Sequence, residues 1–579
     1  MRLYPKLHKL FLAGIMLSMA LAACSGNVPA EPSATAPLAS PQVQITSLVS
    51  PTTPVSLSGP KSITLLYTRT VDNLNPLYTS LQVNDSWFSA ITLQIWNAWA
   101  WNFDEQNIAI PVLVKEIPSL QNGGISSDGR VITMHLRDDI VWSDGQPITS
   151  ADFRFTFLMA VNTNNTVVTS VPYNLISSLD TPDERTVVIT FSQPYIPWLG
   201  NLWHGLLPSH ILQPVFDTAG TLDNAEWNTA PTVGCGPYVF SERLEGDSIR
   251  FIANDRYWAG RPKIDEVVVR FLADNTEQTA ALSSGQGDLG PRISYPDVPS
   301  LKTAGLIIQK VFSGYNEGLF FFMHPFEGHP ALQDVRVRQA IAQSIDRPTL
   351  IREVLLDQTA PAASYWDNTP YIDPGVHPWA FDPDRAKVLL DEAGWVDANG
   401  DGVREKGDVN LEFTYGSTTS PVRLDVQTKI VAQLAQVGIK LDPSSYDTET
   451  FFQDYAEGGP AATGQLDIFQ YAPTTNPGDP HTTDFLCGEI PSDEIPTGTN
   501  WSYYCDQELE ALFQLELTQI DFNQRQQTFQ QISKMIFDRL YFVGLWQEPD
   551  LWAMRSRLAN VRLSGATPYF NIIEWDLTE

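Results

Sequence analysis

Two hydrophobic periodicities alternate along this chain, and no segment repeats. Short runs with strand character occur at Ser62–Tyr67, Val131–Leu136, Val187–Phe191, Ile249–Ala253 and Val267–Leu272, the last two flanking the turn Asn254–Pro262. Helical spacing takes over in the second half. Asp382 is placed to cap a helix that starts at Pro383. Ala386, Leu389, Leu390 and Ala393 then follow at i, i+3, i+4 and i+7, and Gly394 stops it. Val426, Ile430, Leu434 and Val437 mark a second helix, ended by Gly438 before a strand Ile439–Leu441. Gln507 to about Phe542 predicts two long helices with Phe529, Ile532 and Ile536 inward. Strands interleaved with helices predict an α/β chain of mixed topology. At 579 residues it should form two or more domains.

The net charge of −31 argues against nucleic acid as a partner, because phosphate binding needs clustered Lys and Arg. The N-terminus points to an extracytoplasmic chain. Arg2, Lys6 and Lys9 precede an apolar stretch, Leu10–Ala23, that is short for a membrane span. It ends in Leu21-Ala22-Ala23-Cys24, which resembles a bacterial lipobox. Residues 1–23 are expected to be a signal peptide, with Cys24 the lipidated residue that anchors the chain to the cell membrane. Residues 24–60, rich in Pro, Ser, Thr and Ala, are expected to form a disordered tether. Outside the cytoplasm, Cys487 and Cys505 are expected to form a disulfide, leaving Cys235 as a buried thiol.

The usual catalytic spellings are missing: no G-x-x-x-x-G-K-[ST], H-E-x-x-H, G-x-S-x-G or C-x-x-C occurs. One stretch, WVDANGDGVREKGD, has the spelling of a calcium loop. Asp397, Asn399, Asp401, the Val403 carbonyl, Glu405 and Asp408 would be the ligands of a structural calcium ion. Asp in the last position is shorter than the usual Glu, and a strand at Leu411–Tyr415 is expected where an exiting helix would stand. An Asx-rich surface turn without metal is the competing reading.

Nine stretches in order carry a resemblance. They are Asn75-Pro76; Ser127-Asp128-Gly129-Arg130; LRDDIVWSDGQPITSADFRFTF; VGCGPYVF; NDRYWAGRPKIDEVVVRF; ALSSGQGDL; LQDVRVRQAIAQSIDRPTLI; FDPDRAKVLLDEAGW; and LCGEIP with YYC. Together they resemble the family 5 extracellular solute-binding proteins, the oligopeptide- and dipeptide-binding components of bacterial ABC transporters. The resemblance implies a periplasmic-binding-protein-like clamshell (type II, cluster C). Its lobe I would comprise residues 61–97, 198–318 and 546–579, an extra domain 98–197, and lobe II 319–545. It implies a non-enzymatic receptor that needs no cofactor. This receptor would bind peptides between its lobes and deliver them to an ABC permease driven by ATPase subunits.

The family's peptide binders place an Asp for the peptide ammonium after an apolar strand. Here that strand leads through Gln470, Tyr471 and Ala472 to Thr474 and Asn476, so a neutral Asn stands where the acid is expected and Asp479 is the nearest substitute. Trp96, with neighbouring Trp99 and Trp101, and Asn316, with Glu317, are further pocket candidates. The Asn leaves an oligosaccharide or another non-peptide solute as an alternative cargo. A secreted acidic hydrolase is the distant one.

Overall fold

The computed structural model describes residues 59–80, 87–473 and 479–578. The lipobox with Cys24, nearly all of the tether, Thr474 and Asn476 lie outside them. In chain order the main strands are β1 (Ser62–Tyr67), β2 (Val131–His135), β3 (Ile176–Asp183), β4 (Thr186–Phe191), β5 (Tyr238–Leu244), β6 (Ser248–Ala253), β7 (Glu266–Phe271), β8 (Leu289–Gly290), β9 (Leu306–Phe321), β10 (Glu412–Thr418), β11 (Lys440–Tyr446), β12 (Ile468–Tyr471) and β13 (Val543–Arg555). The helices used below are α1 (Trp87–Trp96), α2 (Ser150–Ala160), α3 (Pro383–Glu392), α4 (Pro421–Ala435), α5 (Gln507–Glu516) and α6 (Phe522–Arg539).

A ten-stranded mixed sheet runs in the order β11, β10, β12, β9, β13, β8, β1, β7, β6, β5. Strand alternation divides its burial between two cores. Ile63, Leu65 and Tyr67 of β1 enter the first and Leu66 the second. On β13, Trp552 and Met554 join the first while Leu551 and Ala553 join the second. The long strands β9 and β13 pair antiparallel through the middle, from Leu306 opposite Arg555 to Phe312 opposite Pro549. The register breaks after Phe312 and resumes with Asn316 opposite Gln547. Pro549 has no N–H to give the ladder, and the break stands next to it. Such irregularities re-aim side chains, and here they turn residues toward a cavity.

Local signals account for the helices. Asp382 accepts the Arg385 amide at 2.9 Å, and Gly394 follows α3 with a left-handed φ of +83°. Val426, Ile430 and Leu434 bury one side of α4, which begins earlier than its apolar stripe, at Pro421. Asp521 caps α6, and Phe529, Ile532 and Ile536 are buried in the second core.

A separate three-stranded sheet, β2-β4-β3, carries α2, whose start is closed by reciprocal bonds between Thr149 and Asp152. Gly129, φ +67°, touches the turn between α5 and α6 there. A Cβ on it would stand 2.6 Å from Ile520 Cδ1. The VGCGPYVF stretch is explained by packing as well. Cβ atoms on Gly234 and Gly236 would run into the Trp96 and Asn97 backbone, and Cys235 is buried against Asn97 with its pKa pushed up to about 12 by burial. Cys487 and Cys505 are joined at an S–S distance of 2.11 Å. Among the described residues no helix is long and apolar enough to cross a membrane.

Candidate functional site

A cavity of about 940 Å³ opens where the two cores meet over β9 and β13. This lies within the range of small-molecule sites, roughly 300–1,000 Å³. Its walls are strongly aromatic. Trp87 and Phe103 come from the first core, Tyr295, Tyr471 and Trp546 from the second, and Trp99 lines the cavity as well.

Where the register is broken, β13 brings Trp546, Glu548 and Asp550 to the cavity together with Pro549 and Leu551. Glu317 reaches it from β9, where it stands opposite Trp546. Two guanidiniums complete the charged set, Arg423 at the start of α4 and Arg292 after β8.

These charges are held differently. Glu317 and Arg423 form a closed pair, with Nε to Oε1 at 2.7 Å and Nη2 to Oε2 at 2.8 Å. Gln470 donates to the same Oε1 at 2.9 Å, and Tyr415 donates to Gln470. Burial works against the Arg423 charge, but Glu317 more than offsets it and the pKa is raised. Glu548 is fixed but uncompensated. Trp546 Nε1 donates to it at 2.5 Å and the Tyr295 hydroxyl at 3.1 Å. Burial, and then the neighbouring Glu317 charge, push its carboxyl up to about 7, against the pull of these donors and Arg423.

Arg292 and Asp550 are open. Among the described residues neither side chain makes a hydrogen bond or an ion pair with a protein group. Arg292 has a left-handed φ of +55°, unusual for a side chain of this size, and its guanidinium lies 4.1 Å from the Trp87 ring centre. Burial lowers its pKa and burial raises that of Asp550. Each group offsets part of the other's shift, as neighbouring opposite charges do: Arg292 stands beside β13, where the Ile293 amide donates to the Leu551 carbonyl at 2.9 Å. Trp99 stacks on His204 at 4.3 Å, and burial holds that imidazole neutral with its pKa lowered to about 4.

The residues expected from sequence divide. Tyr471 and Ala472 line the cavity, as do Glu317 and Trp99. The Tyr471 hydroxyl is turned away, donating to Asp484 at 3.0 Å beside Tyr365 and His481. Gln470 lies one layer behind, orienting Glu317. Three expectations need correcting. Trp96 is core, edge-on to Trp227 at 5.2 Å. Asn316 is fully buried, donating to the carbonyls of Gly314 and Tyr365 within the β9 irregularity, each at 3.1 Å. Asp479 faces Arg525 at 2.5 Å, and Arg525 also holds Glu516 at 2.8 Å, so this carboxylate is spent inside the protein. Arg292, Glu548 and Asp550 were not reached from sequence. The only signal for the last two was their i, i+2 spacing near the C-terminus.

The Asp397 loop lies elsewhere, and its oxygens are turned onto its own backbone. Asp397 accepts from Gly400 and Gly402 at 2.7 and 3.0 Å, Asn399 from Asp401 at 2.8 Å, and Asp401 from Val403 at 2.8 Å. Glu405 belongs to a short ribbon pairing Glu405–Lys406 with Val409–Asn410, and Asp408 stands at its turn. Among the described residues no group of three or more His, Cys, Asp or Glu is arranged to hold a metal ion.

Comparison with known proteins adds an independent line. The family model for bacterial extracellular solute-binding proteins, family 5 (middle), matches residues 110–484. A Brucella ovis protein, provisionally named as an ABC transporter peptide-binding protein, is 31% identical over 330 residues, 55% of this chain and 58% of its own length. The chain thus spans little more than half of that relative. The oligopeptide-binding protein AppA of Bacillus subtilis is 23% identical over 608 residues, 98% of this chain and 97% of its own. Its structure with a nonapeptide covers 90% of this chain and 100% of that one, with a TM-score of 0.61 and 21% identity. NikZ of Campylobacter jejuni, solved with Ni(L-His), covers 89% of this chain and 99% of its own at a TM-score of 0.66 and 22% identity. At these identities the structural likeness speaks for the fold alone. The matched relatives are binding proteins, not enzymes.

Proposed function

The chain belongs to the bacterial extracellular solute-binding proteins, family 5, and from that premise we propose that it is the lipid-anchored, extracytoplasmic receptor of an ABC importer, with a peptide or peptide-like solute as its cargo. One observation carries the choice of cargo. The cavity holds a carboxylate, Asp550, and a guanidinium, Arg292, that have no hydrogen-bond or ion-pair partner among the described residues, on an aromatic wall. Leaving two such groups without partners is costly to the ligand-free protein and favourable only if a ligand supplies both. A peptide does: its ammonium meets Asp550 and its carboxylate meets the Arg292 fork. The ammonium contact expected near Asn476 and Asp479 therefore moves to β13. This reading involves no covalent step. The protein closes on its solute and hands it to the permease, while Cys24 keeps it at the membrane.

The test is to purify the protein without a tag and identify what comes with it by mass spectrometry. A thermal-shift survey of short peptides should follow. The expected result is peptides among the bound material and a rise in melting temperature by mass action, with the peptide recovered intact. Co-purified oligosaccharide, or a chelate with no peptide stabilisation, would replace the cargo reading. Cleaved peptide would overturn the receptor itself. Anchoring is checked separately: Cys24→Ser should release the protein from the membrane fraction.

A further inference from the structure

The charges around the cavity do not balance. Among the described residues Glu317, Glu548 and Asp550 line it with Arg292 and Arg423, so three carboxylates meet two guanidiniums. Glu317 and Arg423 satisfy one another. A zwitterionic peptide satisfies Arg292 and Asp550, on the reading above. Glu548 is then left over: oriented by Trp546 and Tyr295, and without a cation paired to it among the described residues.

We propose that Glu548 is the specificity-determining residue of a second cation subsite, which makes the receptor selective for peptides that carry a basic side chain. The geometry supports this in three ways. Glu548 and Asp550 are two residues apart on β13 and line the same cavity, so a ligand ammonium at Asp550 brings its neighbouring side chain past Glu548. Both carboxylate oxygens are already oriented by neutral donors, an indole N–H and a phenol O–H, which position the group without neutralising it. The rings of Trp546 and Tyr295 stand against it, and Tyr315 lines the same cavity, an apolar and electron-rich surround suited to a lysine or arginine side chain.

The charged groups near Glu548 bear unequally on its titration. Burial and Glu317 on β9 disfavour its ionisation, while Asp550, two residues on along β13, is not among the groups that shift it. Arg423 on α4 favours it but is committed to Glu317, and Arg292 lies with Asp550. The carboxyl sits near pH 7 when no ligand is present. A bound cation favours the ionised form, so basic peptides should displace a proton and lose their advantage as pH falls below about 7.

The subsite rests on the peptide reading, and the experiment separates the two. Calorimetry compares Ala-Ala-Ala with the three tripeptides that place one Lys at each position, at pH 8 and pH 5.5, in wild type and Glu548→Gln. At least one Lys peptide should bind roughly tenfold or more tighter than Ala-Ala-Ala at pH 8, as a charge-assisted contact would give. That ratio should shrink at pH 5.5 and collapse toward one in Glu548→Gln. A ratio near one in wild type, or a ratio that survives the substitution, overturns the subsite and leaves the peptide reading standing. If no tripeptide binds at any pH, the peptide reading falls and cadaverine decides the subsite. Stabilisation of wild type that is lost in Glu548→Gln supports it, and no stabilisation overturns it.

Discussion

Asp479 and Asp550 are both carboxylates whose pKa is raised by burial, yet only one has a protein partner. Asp479 faces Arg525, which also binds Glu516, and the three groups form a network closed within the protein. Asp550 faces a cavity that neighbouring Arg292 also lines, and makes no side-chain ion pair among the described residues. The two look equally acidic in sequence, and Asp479, beside the segment where a peptide ammonium is expected, looks the better ligand. The contrast teaches that a buried charge already answered from inside the fold supports structure, whereas one left open onto a cavity is available to a ligand.

The comparison breaks most visibly at Arg525. Arg525→Met leaves Asp479 and Glu516 buried without their countercharge, and this should cost about 3–5 kcal/mol of unfolding free energy. Urea denaturation measures it. A loss below about 1 kcal/mol would mean that the network is not closed and that Asp479 is free after all.

Glu548 sharpens the comparison through pH. Its folded-state pKa is raised to about 7 from an ordinary value near 4.3. The stability it contributes is therefore present in full below its unfolded pKa and is lost as pH rises through about 7. The ligand-free protein should lose up to about 3 kcal/mol from this group between pH 4.5 and pH 8. Glu548→Gln should lack that part of the slope, so the gap between wild type and variant, read from urea midpoints at several pH values, should narrow toward low pH. A constant gap would show that Glu548 is ionised throughout.

Asp550 should behave oppositely to Arg525. Asp550→Asn removes an unanswered charge, so the ligand-free protein should unfold no more easily than wild type. Peptide affinity, by contrast, should fall roughly 10–100-fold. Arg292→Met should weaken binding of the same peptide to a similar degree, and amidating the peptide's C-terminus should remove most of that effect. Melting curves with and without peptide separate the two quantities. Destabilisation of the ligand-free protein would place Asp550 in the structural class with Asp479.

These differences mark the limit of what sequence could reach. Periodicity and caps located most elements. β1 is Ser62–Tyr67, as its apolar run predicts, and Asp382 caps α3. Such elements are written in local spacing, which one sequence displays. The cavity is not local. Arg292 follows β8, Glu317 sits on β9, and Glu548 and Asp550 lie on β13, more than two hundred residues later. They meet because β9 and β13 run together and lose register beside Pro549. Tyr471, Ala472, Glu317 and Trp99, to which family resemblance or local context draws attention, do line the cavity. The same resemblance led to Asp479, where position along the chain could not show that Arg525 had claimed the carboxylate.

The Asp397 loop sets the lower end of the scale, and it extends the same rule to a surface. Its spelling suggests calcium, but its acidic oxygens are answered from within, by the amides of Gly400, Gly402 and Val403. Oxygens committed in this way behave like Asp479 and unlike Asp550: they hold a turn. Asp397→Ala should then cost only about 1 kcal/mol, the worth of one or two exposed backbone bonds. Calcium should release no heat on titration and leave the melting temperature of wild type unchanged. A calcium-dependent rise in melting temperature that disappears in Asp397→Ala would mean that these oxygens can leave their amides for a metal. Internal satisfaction would then not be enough to separate structural from binding carboxylates at an exposed turn, where water can exchange with every partner, and the rule drawn from Asp479 would hold only where burial enforces it.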